Sequence, residues 1–290
     1  MKLSKESNFI KTVAVTGGNG FIGKKLIEQL QAQGHKVISL QRSSELLAET
    51  EKRYFDLSDI SSINRDILVD VDVVIHAAAL VHNPKADYNS YDSHNFQATK
   101  SLFSACVDCK IEKFIFLSTV GVYGLYSSSK KINIETKTSP ISPYAEAKLK
   151  SEKFLLASDV ATKVSIIRLP LVYGKNAPGN FGALEKIALS KVPLPFLNVN
   201  NKRSMVDISK LVKILAIAVE YKDRYLRLQL LCDEKSFSTQ EIIKKIRLEN
   251  GINPLLFPLP KNLFKVLLNA AGKKKIYEQL FEDLEFESTI

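Results

Sequence analysis

Long apolar runs are absent from this chain of 290 residues. None approaches the roughly 18–20 consecutive apolar residues that a membrane-spanning helix needs. The start of the chain, Met1–Ser7, carries lysine but no apolar core, so it does not resemble a secretory signal peptide. With 45% apolar and 25% charged residues, the composition is typical of a globular protein. We therefore expect a cytoplasmic protein without a transmembrane segment.

Cysteine is also scarce, and the three residues Cys106, Cys109 and Cys232 are an odd number. Cys106-Val-Asp-Cys109 has the spacing of redox and metal sites, but no second cysteine pair or histidine pair completes a zinc-binding set. The pair also falls within an amphipathic helical pattern, where small apolar side chains pack. We interpret both residues as reduced, helix-packing thiols and expect no metal site.

Nucleic-acid-binding motifs are absent, although the net charge is +10. The lysines are scattered apart from the run Lys273-Lys274-Lys275. Neither zinc-finger spacing nor an aromatic-basic ribonucleoprotein motif occurs. A basic surface also attracts anionic lipid or phosphorylated small molecules. We favour a solvated face for these charges and expect no nucleic-acid partner.

What the chain does contain is a regular alternation of short β-branched runs with helical patterns. The predicted strands are Thr12–Thr16, Lys36–Leu40, Val73–His76, Lys113–Ser118, Val164–Leu169 and Tyr225–Cys232. The predicted helices are Phe21–Gln33, Phe96–Cys109, Tyr144–Leu156, one that begins at the Ser238–Glu241 capping box, and one near 261–271. This order predicts an α/β fold of the Rossmann type, with a doubly wound parallel sheet.

Glycine and proline interrupt this alternation after Tyr173, which predicts a smaller lobe grafted onto the sheet. The Rossmann domain would comprise residues 1–172 and 205–235, and the substrate lobe residues 173–204 and 236–290. We expect Leu284–Ser288 to form a short strand of the lobe. Because parallel sheets bind ligands at the carboxyl ends of their strands, motifs at those ends define the candidate site.

A glycine-rich turn, Gly17-Gly18-Asn19-Gly20-Phe21-Ile22-Gly23, directly follows the first predicted strand. Gly17, Gly20 and Gly23 permit a tight turn, close approach of a pyrophosphate, and close packing of helix on strand. The helix that follows offers free N–H groups and a partial positive charge to a phosphate. The turn, flanked by a strand and a helix, predicts a dinucleotide site.

The end of the second predicted strand carries no carboxylate. NAD-binding chains place an acid there to hold the ribose 2′-hydroxyl, whereas this chain has Gln41 and Arg42. Arg42 could meet a 2′-phosphate, or it could stack on the adenine or face solvent. The expected cofactor is therefore NADP(H) or NAD(H), and the missing carboxylate favours NADP(H).

A second motif, Tyr144-Ala-Glu-Ala-Lys148, places a phenol and an ammonium on one face of a predicted helix. The ammonium, with the charge of an oxidised nicotinamide, would lower the pKa of the phenol and suit it to proton transfer. Ser118 and Thr119 end the preceding strand and supply a hydroxyl for a substrate oxygen. A Tyr-x-x-x-Lys pair alone is common on surface helices. After a glycine-rich turn, it predicts redox chemistry at a carbinol or ketone.

Together, these motifs resemble the extended short-chain dehydrogenase/reductases, which are nucleotide-sugar epimerases, dehydratases and reductases. The resemblance runs from about residue 11 to 235 and is carried by Thr16–Gly23, His76–Ala79, Ser118–Gly124, Tyr144–Lys148 and Arg168–Gly174. It implies that Thr119 contacts the substrate oxygen, with Ser118 as the less favoured neighbour, and that Asn95 supports the catalytic Lys148 through water. It also implies cofactor contacts from Phe21, Ile22, Asp56, Leu57, Ala77, Ala78, Ala79 and Pro170, besides Tyr144 and Lys148 themselves.

The resemblance extends into the predicted lobe. Asn180 and Phe181 resemble the turn that holds a nucleoside diphosphate, and Arg203 resembles the arginine that grips a phosphate of UDP. The alternative for Arg203 is a surface salt bridge. The expected partner is therefore a UDP-linked sugar, and a homodimer is a possible assembly.

Within this family, 4,6-dehydratases carry an Asp-Glu pair directly after the catalytic threonine. This chain has Val120-Gly121 there, and neither side chain can transfer a proton. Reductases and 4-epimerases need only the Tyr–Lys–hydroxyl set. The residues 179–204 resemble UDP-4-keto-sugar reductases of surface polysaccharide synthesis, and Leu171 stands where many epimerases have Asn.

The sequence therefore predicts an oxidoreductase that acts at C4 of a UDP-hexose or a UDP-N-acetyl-deoxyhexose and reduces a 4-keto sugar. One alternative is a UDP-glucose or UDP-N-acetylglucosamine 4-epimerase with tightly bound NAD. A second alternative, from a different class, is a non-catalytic dinucleotide-binding sensor.

Overall fold

The computed structural model describes residues 10–42, 50–81, 86–220 and 227–290. Its strands are β1 (Thr12–Thr16), β2 (Lys36–Gln41), β3 (Glu51–Tyr54), β4 (Val73–His76), β5 (Lys113–Thr119), β6 (Lys163–Leu169), β7 (Leu171–Tyr173), β8 (Leu194–Leu197), β9 (Met205–Asp207), β10 (Leu228–Leu230) and β11 (Leu256–Pro258). Its α-helices are α1 (Phe21–Ala32), α2 (Tyr88–Tyr91), α3 (Ala98–Asp108), α4 (Pro143–Ala157), α5 (Gly179–Ala188), α6 (Ile208–Glu220), α7 (Thr239–Glu249), α8 (Lys261–Ala270) and α9 (Lys274–Phe281). A π-helical segment, Asp92–Gln97, joins α2 to α3, and a 3₁₀ turn, Val120–Tyr123, follows β5.

Seven strands form one parallel sheet in the order β3-β2-β1-β4-β5-β6-β10. From β1 the chain adds β2 and then β3 on one side of the sheet. From β4 it adds β5, β6 and β10 on the other side. The prediction of a doubly wound α/β sheet is thus confirmed. The carboxyl ends of β1 and β4 flank the point where the strand order reverses, which is where open parallel sheets bind ligands.

Apolar side chains cover both faces of this sheet. On one face, Leu26 and Leu30 of α1 and Leu211 of α6 pack against the strands and are fully buried. On the other face, Leu102 of α3 and Leu155 of α4 do the same. Each such side chain contributes about 1.5–3 kcal/mol to the free energy of unfolding. Cys106 and Cys109 belong to this second cluster, as the helix-packing interpretation predicts.

A separate apolar cluster lies among α5, α7, α8, α9 and the β8–β11 pair. Phe281 stacks on Phe196, with ring centroids 5.8 Å apart, and Phe264 lies 4.7 Å from Phe281. The C-terminal segment then returns to the large sheet, where the Thr289 N–H donates to the Leu230 carbonyl over 2.8 Å. The division into Rossmann domain and lobe stays a prediction.

Five predicted strands agree with the structure to within one residue at either end. The first part of Tyr225–Cys232, like Met1–Ser7, lies outside the described residues, and the strand described there is the shorter β10. The expected strand Leu284–Ser288 is wrong, because the segment makes only isolated bridges to Arg203 and Ile132. Within the described residues, no helix is both long and apolar enough to cross a membrane.

Candidate active site

The glycine-rich turn between β1 and α1 is built by close backbone contacts. Gly17 has a φ of +70°, which favours glycine, and its carbonyl accepts from the Gly20 N–H at 2.9 Å. A Cβ atom at Gly23 would overlap that same Gly17 carbonyl, so only glycine lets the first turn of α1 approach β1 this closely. No side chain among the described residues caps α1, which leaves its first N–H groups to face a ligand.

A cleft of about 260 Å³ opens beside this turn, at the carboxyl ends of the strands. Its walls contain most of the residues predicted to hold the cofactor, namely Gly17, Gly20, Gln41, Arg42, Asp56, Leu57, Ala77, Ala78 and Ala79. They also contain Asn19, Leu40, Phe55, Leu80 and His94, which the sequence interpretation missed although most adjoin predicted residues. Phe21 and Ile22 lie at the start of α1 and pack on the core, and Pro170 is buried between β6 and β7. The cleft, with free N–H groups at its base, suits the adenosine and pyrophosphate part of a dinucleotide, and Thr119, Tyr144 and Lys148 are not among the residues that line it.

The charges in this cleft are Arg42 and Asp56. Burial alone would raise the pKa of Asp56. Hydrogen bonds from the Ser58 N–H and hydroxyl, with the charges of Arg42 and His94, bring that pKa below its usual value. Arg42 is exposed, and its charge therefore acts on Asp56 at the mouth of the cleft. A carboxylate and a guanidinium thus both face the place where an adenosine ribose would lie.

His76, which ends β4, is the centre of a buried hydrogen-bond network. Thr16 Oγ1 accepts from the N–H groups of Ala77 and Ala78 at 3.0 Å, and it therefore donates its own proton to His76 Nδ1 at 2.8 Å. The Thr99 hydroxyl donates to the Asn95 carbonyl and so accepts from His76 Nε2 at 2.9 Å. This assignment makes the imidazole neutral. Burial and the nearby Lys148 agree, since both hold the pKa of His76 well below its usual value.

That network was not predicted, and it fixes the strand end along which the dinucleotide would lie. Asn95 adds to it, because its amide accepts from the Leu80 N–H at 2.7 Å and donates to the Leu80 carbonyl at 3.0 Å. Asn95 thus holds the segment after β4 directly. Its water-mediated support of Lys148 stays a prediction.

The helix α4 carries the two motif residues Tyr144 and Lys148. Ser142 caps the helix by accepting from the Ala145 N–H, and a proline at the first position favours its start. The Lys148 ammonium donates to the Leu117 carbonyl at 2.8 Å and lies 4.4 Å from the centre of the Phe116 ring. Both contacts direct the lysine at the end of β5.

Burial changes the protonation of both residues. It lowers the pKa of Lys148 to about 7, although the carboxylate of Glu152 acts in the opposite direction. It raises the pKa of Tyr144 to about 12. In the protein chain itself, desolvation of the phenolate therefore prevails. The expectation that the ammonium, together with the charge of an oxidised nicotinamide, lowers the pKa of the phenol stays a prediction.

Thr119 and Ser118 end β5 with opposite orientations, as neighbours on a strand do. Thr119 is half-buried, and its Oγ1 accepts from the Gly121 N–H at 3.0 Å, which leaves its own proton available to a ligand. Ser118 is 4% exposed, and its hydroxyl donates to Glu152 Oε1 at 2.5 Å. The suggestion that Ser118 contacts substrate is therefore corrected, since its hydroxyl faces α4 instead.

An unpredicted ion pair between Glu152 and Arg168 lies beneath these residues. Arg168 donates from Nε at 3.1 Å and from Nη2 at 2.7 Å to the two carboxylate oxygens, and from Nη1 to the Tyr123 hydroxyl at 2.9 Å. Glu152 is 1% and Arg168 4% exposed. The spacing of Tyr144, Lys148 and Glu152 on one helix face could have indicated Glu152, but its partner on β6 could not be deduced from spacing.

The residues predicted to bind the nucleotide of the substrate, Asn180, Phe181 and Arg203, follow β7 in the chain. Phe181 is 5% exposed and packs on Tyr173, with ring centroids 5.8 Å apart, where both line a cavity of about 540 Å³. Asn180 is exposed at the start of α5.

Arg203 is not a surface salt bridge. Its Nη1 donates to the carbonyls of Tyr126, Glu278 and Glu282 at 3.1–3.2 Å. Burial lowers its pKa to about 10, with Asp283 acting in the opposite direction. No contact among the described residues joins Arg203 or Asn180 to the cofactor cleft, so their substrate role stays a prediction.

The sheet, the glycine-rich turn and the Tyr–Lys helix together define a Rossmann-type, nicotinamide-dependent enzyme. Residues 13–227 match the model of the NAD dependent epimerase/dehydratase family, and the chain belongs to that family. Its cofactor is accordingly a nicotinamide dinucleotide.

Individual relatives are similar over most of the chain. A UDP-glucose 4-epimerase of Vibrio cholerae is 26% identical over 287 residues, which cover 96% of this chain and 87% of that protein. The uncharacterised UDP-glucose epimerase YtcB of Bacillus subtilis is 31% identical over 223 residues, covering 69% and 70%. Among solved structures, UDP-glucuronic acid 4-epimerase of Bacillus cereus in complex with NAD has a TM-score of 0.73 at 23% identity, covering 96% of this chain and 90% of that one.

Proposed function

We propose that the protein reduces the C4 ketone of a UDP-linked hexose or N-acetyl-deoxyhexose with NADPH or NADH, as a step towards surface polysaccharide precursors. The observation that carries this proposal is the arrangement at the end of β5, where the Lys148 ammonium donates to the Leu117 carbonyl and Thr119 keeps a hydroxyl proton for a ligand. Tyr144 lies one helical turn before Lys148 on α4, and its phenol is suited to donating a proton to a ketone oxygen. Leu171, which stands where many epimerases have Asn, favours the reductase over the epimerase.

The chain's own residues divide the work at the reacting oxygen. Thr119 keeps its hydroxyl proton for that oxygen, because its Oγ1 already accepts from the Gly121 N–H. Tyr144 donates the proton that completes the alcohol, and Lys148, held by the Leu117 carbonyl, would bind the cofactor ribose. When bound, the nicotinamide supplies the electron pair and hydrogen to the ring carbon.

The substrate would be held mainly by its nucleotide. A sugar ring is neutral, so the diphosphate supplies the charge that Arg203 and the start of α5, with Asn180 and Phe181, can bind. Residues 173–204 and 236–290 would then form the substrate lobe. Two of the relatives carry the name UDP-glucose epimerase, and these names support a UDP-linked substrate. We also propose a cytoplasmic location and a homodimer.

A UDP-sugar 4-epimerase is the second candidate. It is favoured by the Vibrio cholerae relative, whose similarity extends over 96% of this chain. A 4-epimerase oxidises and re-reduces the same carbon, and it therefore uses the same threonine, tyrosine and lysine. The two candidates differ in whether the dinucleotide is exchanged at each turnover.

The deciding experiment identifies the dinucleotide that the purified protein carries and the one that it exchanges. We expect a protein that takes up NADPH and consumes it stoichiometrically with a UDP-4-keto sugar, and an Arg42→Ala variant that loses NADPH affinity more than NADH affinity. Retained NAD, together with interconversion of UDP-glucose and UDP-galactose without external cofactor, would establish the epimerase instead. Dinucleotide binding without turnover of any UDP sugar would indicate the non-catalytic sensor.

A further inference from the structure

The segment from Gly251 to Tyr277 combines exposed apolar side chains with charge of one sign. It contains five lysines and no aspartate or glutamate. Six of the 22 large hydrophobic side chains that are exposed in the described residues lie in it, at Leu255, Phe257, Leu263, Val266, Leu267 and Ile276. Single exposed apolar side chains are ordinary on a protein surface, but a cluster of them indicates an interaction site.

The helix α8, which lies within this segment, has two apolar faces. Phe264 faces inward and stacks on Phe196 at 6.1 Å between ring centroids. Leu263, Val266 and Leu267 are spaced i, i+3 and i+4, so they share another face, and they are 46%, 65% and 56% exposed. None of the ten residues of α8 is buried. Nothing among the described residues therefore covers the second face.

The lysines define what this face can contact. Lys261 and Lys265 are one turn apart on the polar side of α8, and Lys273–Lys275 lie at the start of α9. Lys274 is paired with Glu278 at 3.8 Å, and Lys275 lies 4.6 Å from the centre of the Tyr126 ring. A second copy of the chain that met this face with its own would bring the remaining lysines of both copies together, and their repulsion opposes such a contact. Nucleic acid would neutralise the lysines but leave the apolar face in water. Anionic phospholipid can bind the lysines and also bury the apolar face, because lysine stems extend along an apolar surface and place their charge at the headgroups.

We propose that α8 and the adjoining lysines dock the protein reversibly on an anionic phospholipid surface. Leu263, Val266 and Leu267 insert at the boundary between headgroups and acyl chains, while the lysines contact the headgroups. The docking surface contains none of the residues of the candidate active site. It therefore adds a location to the enzyme and is independent of which UDP sugar is turned over.

The test is flotation of the full chain with vesicles of phosphatidylcholine alone or with phosphatidylglycerol added. We expect binding only to the vesicles that contain phosphatidylglycerol, and weakening by salt because the attraction is screened. Val266→Glu should reduce vesicle affinity by about tenfold or more, and so should Lys261→Gln combined with Lys265→Gln. Val69→Glu is the matched control, since Val69 is 53% exposed outside the segment and the charge change is the same.

Several outcomes would overturn the proposal. They are the absence of binding to anionic vesicles, binding that Val266→Glu and Val69→Glu change equally, and equal binding to neutral and anionic vesicles. A concentration-dependent dimer that Val266→Glu converts to a monomer, without vesicle binding, would assign the face to a second copy instead. Circular dichroism and turnover in solution, both expected to be unchanged, confirm that each variant is folded.

Discussion

At the scale of single residues, burial determines which protons are available for chemistry. Tyr144 and Lys148 share one face of α4, yet the pKa of the phenol rises to about 12 and that of the ammonium falls to about 7. Both shifts have the same cause, since a low-dielectric site penalises phenolate and ammonium alike. His76 is held neutral by the same effect and by its two hydroxyl partners. The site is therefore rich in groups whose charge depends on what binds beside them.

Replacing Tyr144 with phenylalanine tests the proton donor. The ring remains and only the hydroxyl is lost, so folding and cofactor binding should be unchanged. Turnover should fall by about two to four orders of magnitude, the usual contribution of a positioned acid or base. Steady-state kinetics and a dinucleotide titration on the same preparations would measure both. A variant with near-normal turnover would remove Tyr144 from the mechanism.

The lowered pKa of Lys148 predicts how stability depends on pH. Its folded value, about 7, lies below the ordinary value of 10.5. Between these values the unfolded chain binds more protons than the folded one, so this residue makes stability rise as pH rises. Lys148→Met removes that contribution. Relative to this variant, the wild-type protein should gain up to about 1.4 kcal/mol per pH unit within that window.

Urea unfolding of both proteins at several pH values from 7 to 10 would measure this difference. Lys245→Met is a useful control, because Lys245 is a lysine on α7 in contact with the Tyr173 and Phe237 rings and is not part of the cofactor cleft. Parallel pH profiles for wild type and Lys148→Met would show that the ammonium is not destabilised in the folded state.

At the scale of elements, the Glu152–Arg168 pair joins α4 to β6. Hydrogen bonds from Ser118 to Glu152 and from Arg168 to Tyr123 connect the pair to β5 and to the turn that follows β5. Removing one member of a buried pair leaves the other charge uncompensated. Glu152→Gln or Arg168→Met should each lower the free energy of unfolding by about 3–5 kcal/mol. The double variant should cost less than the sum of the two, because no unpaired charge remains.

Denaturant unfolding of the four proteins completes this cycle, and the m-values would show whether each unfolds in one transition. Additive effects would mean that the two side chains contribute to stability independently. That result would contradict the interaction inferred from their bidentate geometry. Retained turnover in whichever variants fold would show that the pair supports the catalytic residues only through stability.

The elements themselves were predictable where a local pattern determines them. The central strands carry buried apolar runs, and their ends agree with the prediction to within a residue. The strand β3 was missed because its sequence, Glu-Lys-Arg-Tyr, is polar and lies at a sheet edge. The prediction also omits α6, although its buried Leu211, Val212 and Leu215 follow helical spacing. The π-helical segment Asp92–Gln97 leaves no periodic pattern that a sequence could display.

The candidate site, like the elements, was predictable only where a local motif determines it. The glycine-rich turn and the Tyr–Lys pair are local motifs, and the structure places the turn in the wall of a cleft at the carboxyl ends of the strands. Ser118 was named as the less favoured neighbour of Thr119, and its hydroxyl donates to Glu152 instead, because neighbours on a strand point to opposite faces. The networks around His76 and Arg168 join three or more distant segments. Their geometry depends on tertiary packing, which motif spacing does not contain.

At the scale of the whole molecule, Arg203 joins the two segments predicted to form the lobe, residues 173–204 and 236–290. Its Nη1 holds carbonyls of α9 and of the segment that follows α9, besides that of Tyr126. Its backbone N–H donates to the Phe237 carbonyl at 3.0 Å. A residue in this position can act on substrate affinity in two ways, by binding a phosphate or by holding the lobe in shape.

The two roles of Arg203 predict different results from one pair of variants. If Arg203 binds the diphosphate, Arg203→Ala should weaken binding of UDP itself by about 1.5–3 kcal/mol, which is roughly tenfold to a hundredfold in Kd. NADH or NADPH should bind as before.

Arg227 provides the control, since its Nη2 also donates to two carbonyls, those of Leu155 and Ser158, away from residues 173–204 and 236–290. Arg227→Ala should leave UDP affinity unchanged, because lost carbonyl contacts alone do not remove a phosphate ligand. Calorimetry with UDP and with each dinucleotide, alongside thermal unfolding, would compare the two variants. An Arg203→Ala protein with unaltered UDP affinity would assign this arginine to the architecture of the lobe and place the diphosphate elsewhere.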